Sequence, residues 1–369
     1  MSKSSHVTAN LLYYAPIQSL QKNDVMIKKV RIKNFKCYGP QGADFNLSKI
    51  NFIFGDNSAG KSTFLQFLDK INDVCNLEGR CDSKILDKYL FKHQDGVISA
   101  KLRVLTEGST VPVEDVWSFQ KSDRGSDEYQ LTDSKGSFIG LDQLRKVLPA
   151  KKPIAHVVAN RKSVANKSHV EVSKLAEFQK DAERLVGEDN LSSMRDGVND
   201  ILNRLGIPYS CVVAISEGVA SVSRGMIHDN DFDMDLRLSE VGTGIEGLIE
   251  LAMTLNAWEG GLLALEEPET NVNEAQLASL MNVLVAEAKK RTRGQLFVEC
   301  HSELMFLEMR NILKHEILSP DDISIIVVQK STNGSMTTQI PLDRFGNILK
   351  PWPGGLFPER INITDAYYK

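Results

Sequence analysis

Apolar positions along this chain follow two spacings, and the alternation between them predicts its elements. Short apolar runs read as buried strands at Ile50 to Phe54, at Leu262 to Leu265, in "GQLFVE" and in "DISIIVVQ". Near the start, Val25, Ile27, Val30, Ile32 and Phe35 in "VMIKKVRIKNFKCY" predict a strand with partly alternating faces. "GVISAKLRVL" predicts another strand, and "DVWSFQKSDRGSDEYQL" a hairpin that turns at Asp123 to Ser126. Helical spacing appears in "STFLQFLDKI" and again from Ser173 to Gly206, where Met194, Val198, Ile201, Leu202 and Leu205 share a face. Gly206-Ile207-Pro208 stops that helix. Two more apolar stripes run from Ile245 to Leu255 and from Leu277 to Ala288, both read as core packing. No heptad run is long enough for an extended coiled coil, and no internal repeat is visible.

One junction between strand and helix carries chemistry. "IFGDNSAGKST" fits G-x-x-x-x-G-K-[ST], with Gly55, Gly60, Lys61 and Ser62 at the fixed places and Asn57, Ser58, Ala59 and Thr63 completing the loop. Glycines let backbone N–H groups converge on phosphates, and the helix that begins near Lys61 presents its positive end to them. Lys61 would reach the terminal phosphates, and Ser62 offers a hydroxyl to Mg²⁺. The stretch therefore predicts a nucleoside triphosphate with Mg²⁺.

Further on, Leu262 to Leu265 run into Glu266-Glu267. An acidic pair at the end of a buried strand is costly unless it meets a cation or water. Glu266 is placed to hold Mg²⁺ through water and Glu267 to orient the attacking water. About thirty residues later another apolar strand ends at His301-Ser302. His301 either senses the γ-phosphate or caps the following helix, and Ser302 is a candidate N-cap. Between these sites, "RLSEVGTGIEGLIELAMTLN" places a Gly-rich turn at the start of a helix.

Composition narrows the setting. The chain has 369 residues, enough for a large core or two domains, and Lys+Arg 44 nearly balance Asp+Glu 48. No overall basic field announces nucleic acid, although Lys151, Lys152, Arg161, Lys162 and Lys167 form a local basic cluster that leaves DNA open as a ligand. Five cysteines without C-x-x-C spacing read as reduced thiols. The first 24 residues have no apolar core of signal-peptide length, and no 18 apolar residues run together. These features predict a soluble cytoplasmic protein with no membrane association.

The order of phosphate loop, long insertion, Gly-rich turn, acidic pair and histidine resembles that of the ABC-type ATPase heads of the SMC/RecF kind. "IKKVRIKNFKCYGP" resembles their opening strand. More narrowly, "LALEEPE", "ECHSE", "VGTG" and "IPLDRFGNILKPWPGGLFPER" resemble the small prokaryotic AAA-type ATPases related to the OLD family, many of which belong to anti-phage defence systems. The resemblance implies an α/β P-loop head with a central mixed sheet flanked by helices, plus an inserted β and helical region. It implies that Lys36 lies near the nucleotide, where the alternative is a solvated strand-edge lysine. It also implies that Ser239, Gly242, Thr243 and Gly244 are a signature that acts on ATP held by another protomer, in a homodimer or higher oligomer. Two departures stand where protomers would meet: Glu246-Gly247 replaces a common Gln after the signature, and "TNVNE" replaces a Leu-His-Pro turn.

OLD-type nucleases continue into a Toprim domain, whereas only 68 residues follow His301. The expected effector, a nuclease or toxin, is therefore a separate protein. Asp321-Asp322 reads as the start of a strand and not as a metal site. The expected divisions are a tail at 1–24, an ATPase lobe at 25–100, an insertion at 101–235, a second ATPase lobe at 236–331 and a C-terminal tail at 332–369. The leading function is an ATP-hydrolysing subunit of an anti-phage defence system; the alternative is a RecF- or SMC-like DNA repair or maintenance ATPase.

Overall fold

The computed structural model describes residues 26–91, 97–106, 113–121, 127–148, 154–158, 188–216, 219–270 and 272–354. The N-terminal tail, the tip of the predicted hairpin, the stretch 173–187 and the basic cluster from Lys151 to Lys167 lie outside the described residues.

In chain order the strands are β1 (Ile27–Lys33), β2 (Ala43–Asn46), β3 (Ile50–Gly55), β4 (Arg80–Asp82), β5 (Ser99–Thr106), β6 (Val113–Lys121), β7 (Glu128–Thr132) and β8 (Ile154–Val158). They continue with β9 (Tyr209–Ser216), β10 (Val219–Asp229), β11 (Met234–Arg237), β12 (Gly261–Glu266), β13 (Gly294–Glu299), β14 (Ile323–Gln329) and β15 (Met336–Gln339). The helices are α1 (Lys61–Asn76), α2 (Ser83–Leu86), α3 (Leu141–Val147), α4 (Glu188–Arg204), α5 (Thr243–Ala257), α6 (Glu274–Lys290) and α7 (Glu303–Lys314).

The central sheet has the order β15-β14-β3-β13-β12-β8 and is parallel except for β15, which runs antiparallel to β14. Its strands are apolar at nearly every position because both faces are covered. Alternate residues go to different cores: Phe52, Phe54, Leu263, Leu265, Leu296 and Val298 face the layer of α4 to α7. Ile53, Leu262, Ala264 and Phe297 face α1 and a second sheet. That sheet, β2-β1-β5-β6-β7-β4, is antiparallel throughout. Polar stitches join the two sheets: the buried Gln295 side chain accepts from Ile27 N–H at 2.7 Å and donates to the Ile27 and Ser48 carbonyls, both at 3.0 Å. A third sheet, β11-β10-β9, leads into α5.

The predicted domain limits are corrected by the pairing. The limit at 100/101 cuts through β5, which pairs with β1, so the β segment from 99 to 132 belongs to the sheet of the first lobe. The limit at 235/236 cuts through β11. The limit at 331/332 separates β14 from its partner β15, and Trp352 packs edge-on against Phe54 and Phe306 at 5.5 and 5.3 Å between ring centres. The expected C-terminal tail is thus part of the head as far as it is described. Asp321 and Asp322 lie in a turn before β14, where Ser319 N–H donates to the Asp322 carboxylate at 2.9 Å.

Candidate nucleotide site

The phosphate loop is held from three sides. Gly55 ends β3 at φ 143°, and a Cβ there would lie 2.1 Å from the Val328 carbonyl of β14. Gly60 precedes α1 at φ 118°, and its Cβ would lie 2.5 Å from Cys37 Sγ. The fully buried Tyr38 donates its hydroxyl to the Gly60 carbonyl at 2.6 Å. α1 starts without a side-chain cap and without an acidic residue in its first turn, which leaves its N–H groups for an anion. Asn57 and Ser58 are exposed on the crest of the loop, whereas Ala59 is buried beneath it.

Lys61 is almost fully buried, and its ammonium donates to the Gly55 and Asp56 carbonyls, both at 2.9 Å. The loop's own carbonyls hold the charge in this conformation. Ser62 Oγ donates to Glu299 Oε1 at 3.0 Å. Lys36 has φ 50°, donates its backbone N–H to the Tyr89 carbonyl at 2.5 Å and hydrogen-bonds Gln66 through Nζ. It lines the mouth of a cavity of about 230 Å³ together with Cys37, Ser58, Gly60, Lys61, Ser62, Thr63 and Glu299.

The acids reach this cavity because of strand order. β13 lies between β3 and β12, so its last residue, Glu299, is in register with Ile53 on one side and Glu266 on the other. Burial pushes the Glu299 carboxyl up to about 7; the Ser62 hydroxyl and Lys61 oppose this, and the charges of Glu266 and Glu267 add to it. Burial also lowers Lys61, against the pull of Glu299 and Glu267. Both members of this pair therefore move toward their neutral forms, since at 3.7 Å their attraction is outweighed by the loss of hydration.

Glu267 follows in a left-handed backbone conformation, φ 48°, with its N–H donating to the Glu299 carbonyl at 2.9 Å. Thr270 Oγ1 donates to its Oε2 at 3.2 Å, and His301 Nε2 lies 3.2 Å from its Oε1. Strain of this kind is tolerated where surrounding contacts over-determine the position. The His301 backbone N–H donates to Glu269 Oε1 at 2.8 Å. Burial, with Lys61 second, lowers the imidazole below its usual range against the pull of Glu267 and Glu269, so the ring is neutral at neutral pH. Ser302, not His301, caps α7 by accepting from Met305 N–H at 3.3 Å. The cap role that the sequence left open for His301 thus falls to Ser302.

The Gly-rich turn is elsewhere. Ser239 lies in a 3-10 turn, Leu238–Glu240, and Gly242 precedes α5 without a side-chain cap. Gly242 and Thr243 are exposed, a Cβ on Gly242 or Gly247 would meet nothing within 4 Å, and Ser239, Gly242, Thr243 and Gly244 are not among the residues lining the cavity.

Two residues of the site escaped the sequence reading. Tyr38 carries no motif signal. Glu299 carried one: an acid closing an apolar strand, the same argument that singles out Glu266-Glu267. The donors present suit Mg²⁺, since Ser62, Glu266, Glu267 and Glu299 offer hard oxygen ligands, and Glu299 Oε2 is buried with no hydrogen-bond partner among the described residues.

The profile of the AAA ATPase domain family matches residues 26–101, the stretch from β1 through the loop and α1 into β5. No curated protein matches the chain in sequence. Solved structures match its fold. An SMC head bound to the C-winged helix domain of ScpA is 15% identical with a TM-score of 0.59, covering 87% of this chain and 99% of that one. The SMC head domain of Thermotoga maritima is 15% identical with a TM-score of 0.51, covering 86% and 100%. An SMC head from Pyrococcus furiosus with an extended coiled coil, bound to the C-terminal domain of ScpA, is 13% identical with a TM-score of 0.58, covering 93% and 100%. The chain thus has the fold of the SMC head domains, with the phosphate-loop motif between β3 and α1. Among the described residues no helix is long and apolar enough to cross a membrane.

Proposed function

We propose that this chain binds ATP with Mg²⁺ and hydrolyses it. The observation that carries the reading is the convergence of Lys61, Ser62, Glu299, Glu267 and His301 at the ends of three adjacent parallel strands. The loop N–H groups and the start of α1 bind the phosphates, and Lys61 exchanges the Gly55 and Asp56 carbonyls for terminal phosphate oxygens. Ser62 and, through water, Glu266 would hold the cation, which would supply charge neutralisation of the phosphates. Glu267 orients the attacking water, and His301, held 3.2 Å from Glu267, senses the terminal phosphate. The test compares two variants. Lys61→Ala should abolish or sharply weaken binding of a fluorescent ATP analogue, whereas Glu267→Gln should keep binding and lose phosphate release by about 100-fold or more. Normal turnover by Glu267→Gln would sink this assignment.

The signature, Ser239 to Gly244, in which Gly242 and Thr243 are exposed, engages the nucleotide of a second copy, so ATP drives closure of a dimer or of a higher oligomer built from dimers. This closure then regulates an effector on another chain, a nuclease or toxin, within an anti-phage defence system. The support is the "LALEEPE", "ECHSE" and C-terminal motifs. Phage plating on cells with this gene and its neighbours, against the same set carrying Lys61→Ala, tests it; equal protection refutes it. The SMC-head fold favours a second reading, DNA maintenance, for which duplex DNA should stimulate ATP hydrolysis.

A further inference from the structure

Glu299 sits where neither the phosphate-loop motif nor the acidic pair requires a carboxylate. It closes β13, in register with Glu266 on β12, so two carboxyls stand side by side at the ends of neighbouring strands. Its side chain is 5% exposed. One oxygen, Oε1, accepts the Ser62 hydroxyl at 3.0 Å and lies 3.7 Å from the Lys61 ammonium. The other, Oε2, is buried and has no hydrogen-bond partner among the described residues. A buried carboxylate oxygen left unsatisfied costs more than an ordinary lost hydrogen bond, and a cation is the partner that would offset that cost.

Lys61 is not that partner. It is beyond hydrogen-bond distance, it approaches Oε1, and its donors already go to Gly55 and Asp56. The surroundings of Glu299 match a hard divalent ion instead. Ligand atoms of Glu267, Glu299 and His301 lie within 4.8 Å of one another, and Glu299 is hydrogen-bonded to Ser62 in the first turn of α1. A hydroxyl can donate its hydrogen to a carboxylate while its oxygen lone pair faces a metal, so the Ser62–Glu299 hydrogen bond is compatible with both residues serving one ion.

We propose that Glu299 is a direct ligand of the nucleotide-bound divalent cation through Oε2, so that β13 contributes to the metal site alongside Ser62 of the phosphate loop. This rests on the ATP-binding reading above. Two consequences separate it from a structural role. Cation affinity of the nucleotide complex depends on the charge at position 299, while nucleotide affinity without cation does not. The loss should also be graded, because aspartate keeps the charge but shortens the reach.

Mn²⁺ provides the probe. The full chain is saturated with a non-hydrolysable ATP analogue, and free Mn²⁺ is followed by electron paramagnetic resonance for wild type, Glu299→Asp and Glu299→Gln. Glu299→Gln should weaken Mn²⁺ binding about 10-fold or more, with Glu299→Asp between the two, and both variants should bind the analogue in EDTA as well as wild type does. Thermal unfolding checks that the variants are folded, and anomalous scattering from Mn²⁺ in crystals of the wild-type complex should place the ion within about 2.3 Å of Glu299 Oε2. Wild-type Mn²⁺ affinity in Glu299→Gln, an equal loss of analogue binding in EDTA, or an ion more than about 3.5 Å from both Glu299 oxygens overturns the proposal while leaving ATP binding intact. Failure of the wild-type chain to bind the analogue at all overturns both readings.

Discussion

Replacing Glu299 by glutamine should stabilise the nucleotide-free head at alkaline pH. The side chain keeps its shape and can still accept from Ser62, but the buried charge is removed. Glu299 is raised from 4.5 to about 7, with burial the largest cause. A carboxyl whose folded-state pKa lies above its unfolded value supports folding fully below the unfolded value and loses that support as the pH rises through the folded one. The window for Glu299 is therefore about pH 4.5 to 7, and the wild-type chain should lose about 2–3 kcal/mol between pH 5 and pH 8 through this group alone. For a chain of 369 residues this corresponds to about 3 °C in Tm. Thermal unfolding in EDTA without nucleotide, at several pH values from 5 to 8, measures the gap between wild type and Glu299→Gln. The gap should widen with pH in favour of the variant. Parallel curves would mean that Glu299 is not held in the desolvated setting described here.

Other perturbations address other parts of the molecule. Glu287→Ala removes the buried acid that accepts from Arg204 and Lys290, each at 2.7 Å, and from Arg291; leaving these charges without their partner should cost about 3–5 kcal/mol in denaturant unfolding at neutral pH. An effect below 1 kcal/mol would show that the network contributes little. His301→Ala should reduce ATP turnover far more than ADP affinity, since ADP lacks the terminal phosphate; equal losses of both would make the imidazole a structural group. Gly242→Arg adds bulk where the structure has open space, so stability and nucleotide binding by the single chain should be unchanged. In the Glu267→Gln background it should abolish any ATP-dependent increase in mass by light scattering, and an undiminished increase would refute a signature acting between chains.

Local pattern determined much of this protein. The runs at Ile50 to Phe54 and Leu262 to Leu265 are strands because residues covered on both faces must be apolar at successive positions, a constraint visible in any short window. The stripe of Val198, Ile201, Leu202 and Leu205 is buried along α4 for the corresponding helical reason, and Gly206, at φ 71°, follows its end. The phosphate loop was legible because its chemistry is confined to consecutive residues, and Glu266-Glu267 because a strand end concentrates the cost of burying acids. Strand pairing was not legible in this way. Nothing near Ser99 tells that β5 lies against β1, and nothing near Met336 tells that β15 completes the central sheet, since hydrogen-bonding edges of strands carry no address in their own side chains. The same limit hid Glu299: its role arises only because β13 is inserted between β3 and β12, which brings a carboxyl from one end of the sequence beside Ser62 from the other. Tyr38 was hidden likewise, as its contact with the Gly60 carbonyl forms only when the turn after β1 folds over the phosphate loop. Periodicity and motifs thus set the elements and the loop, whereas the assembly of the site depended on tertiary order, because the desolvation that gives these groups their chemistry exists only once distant segments pack together.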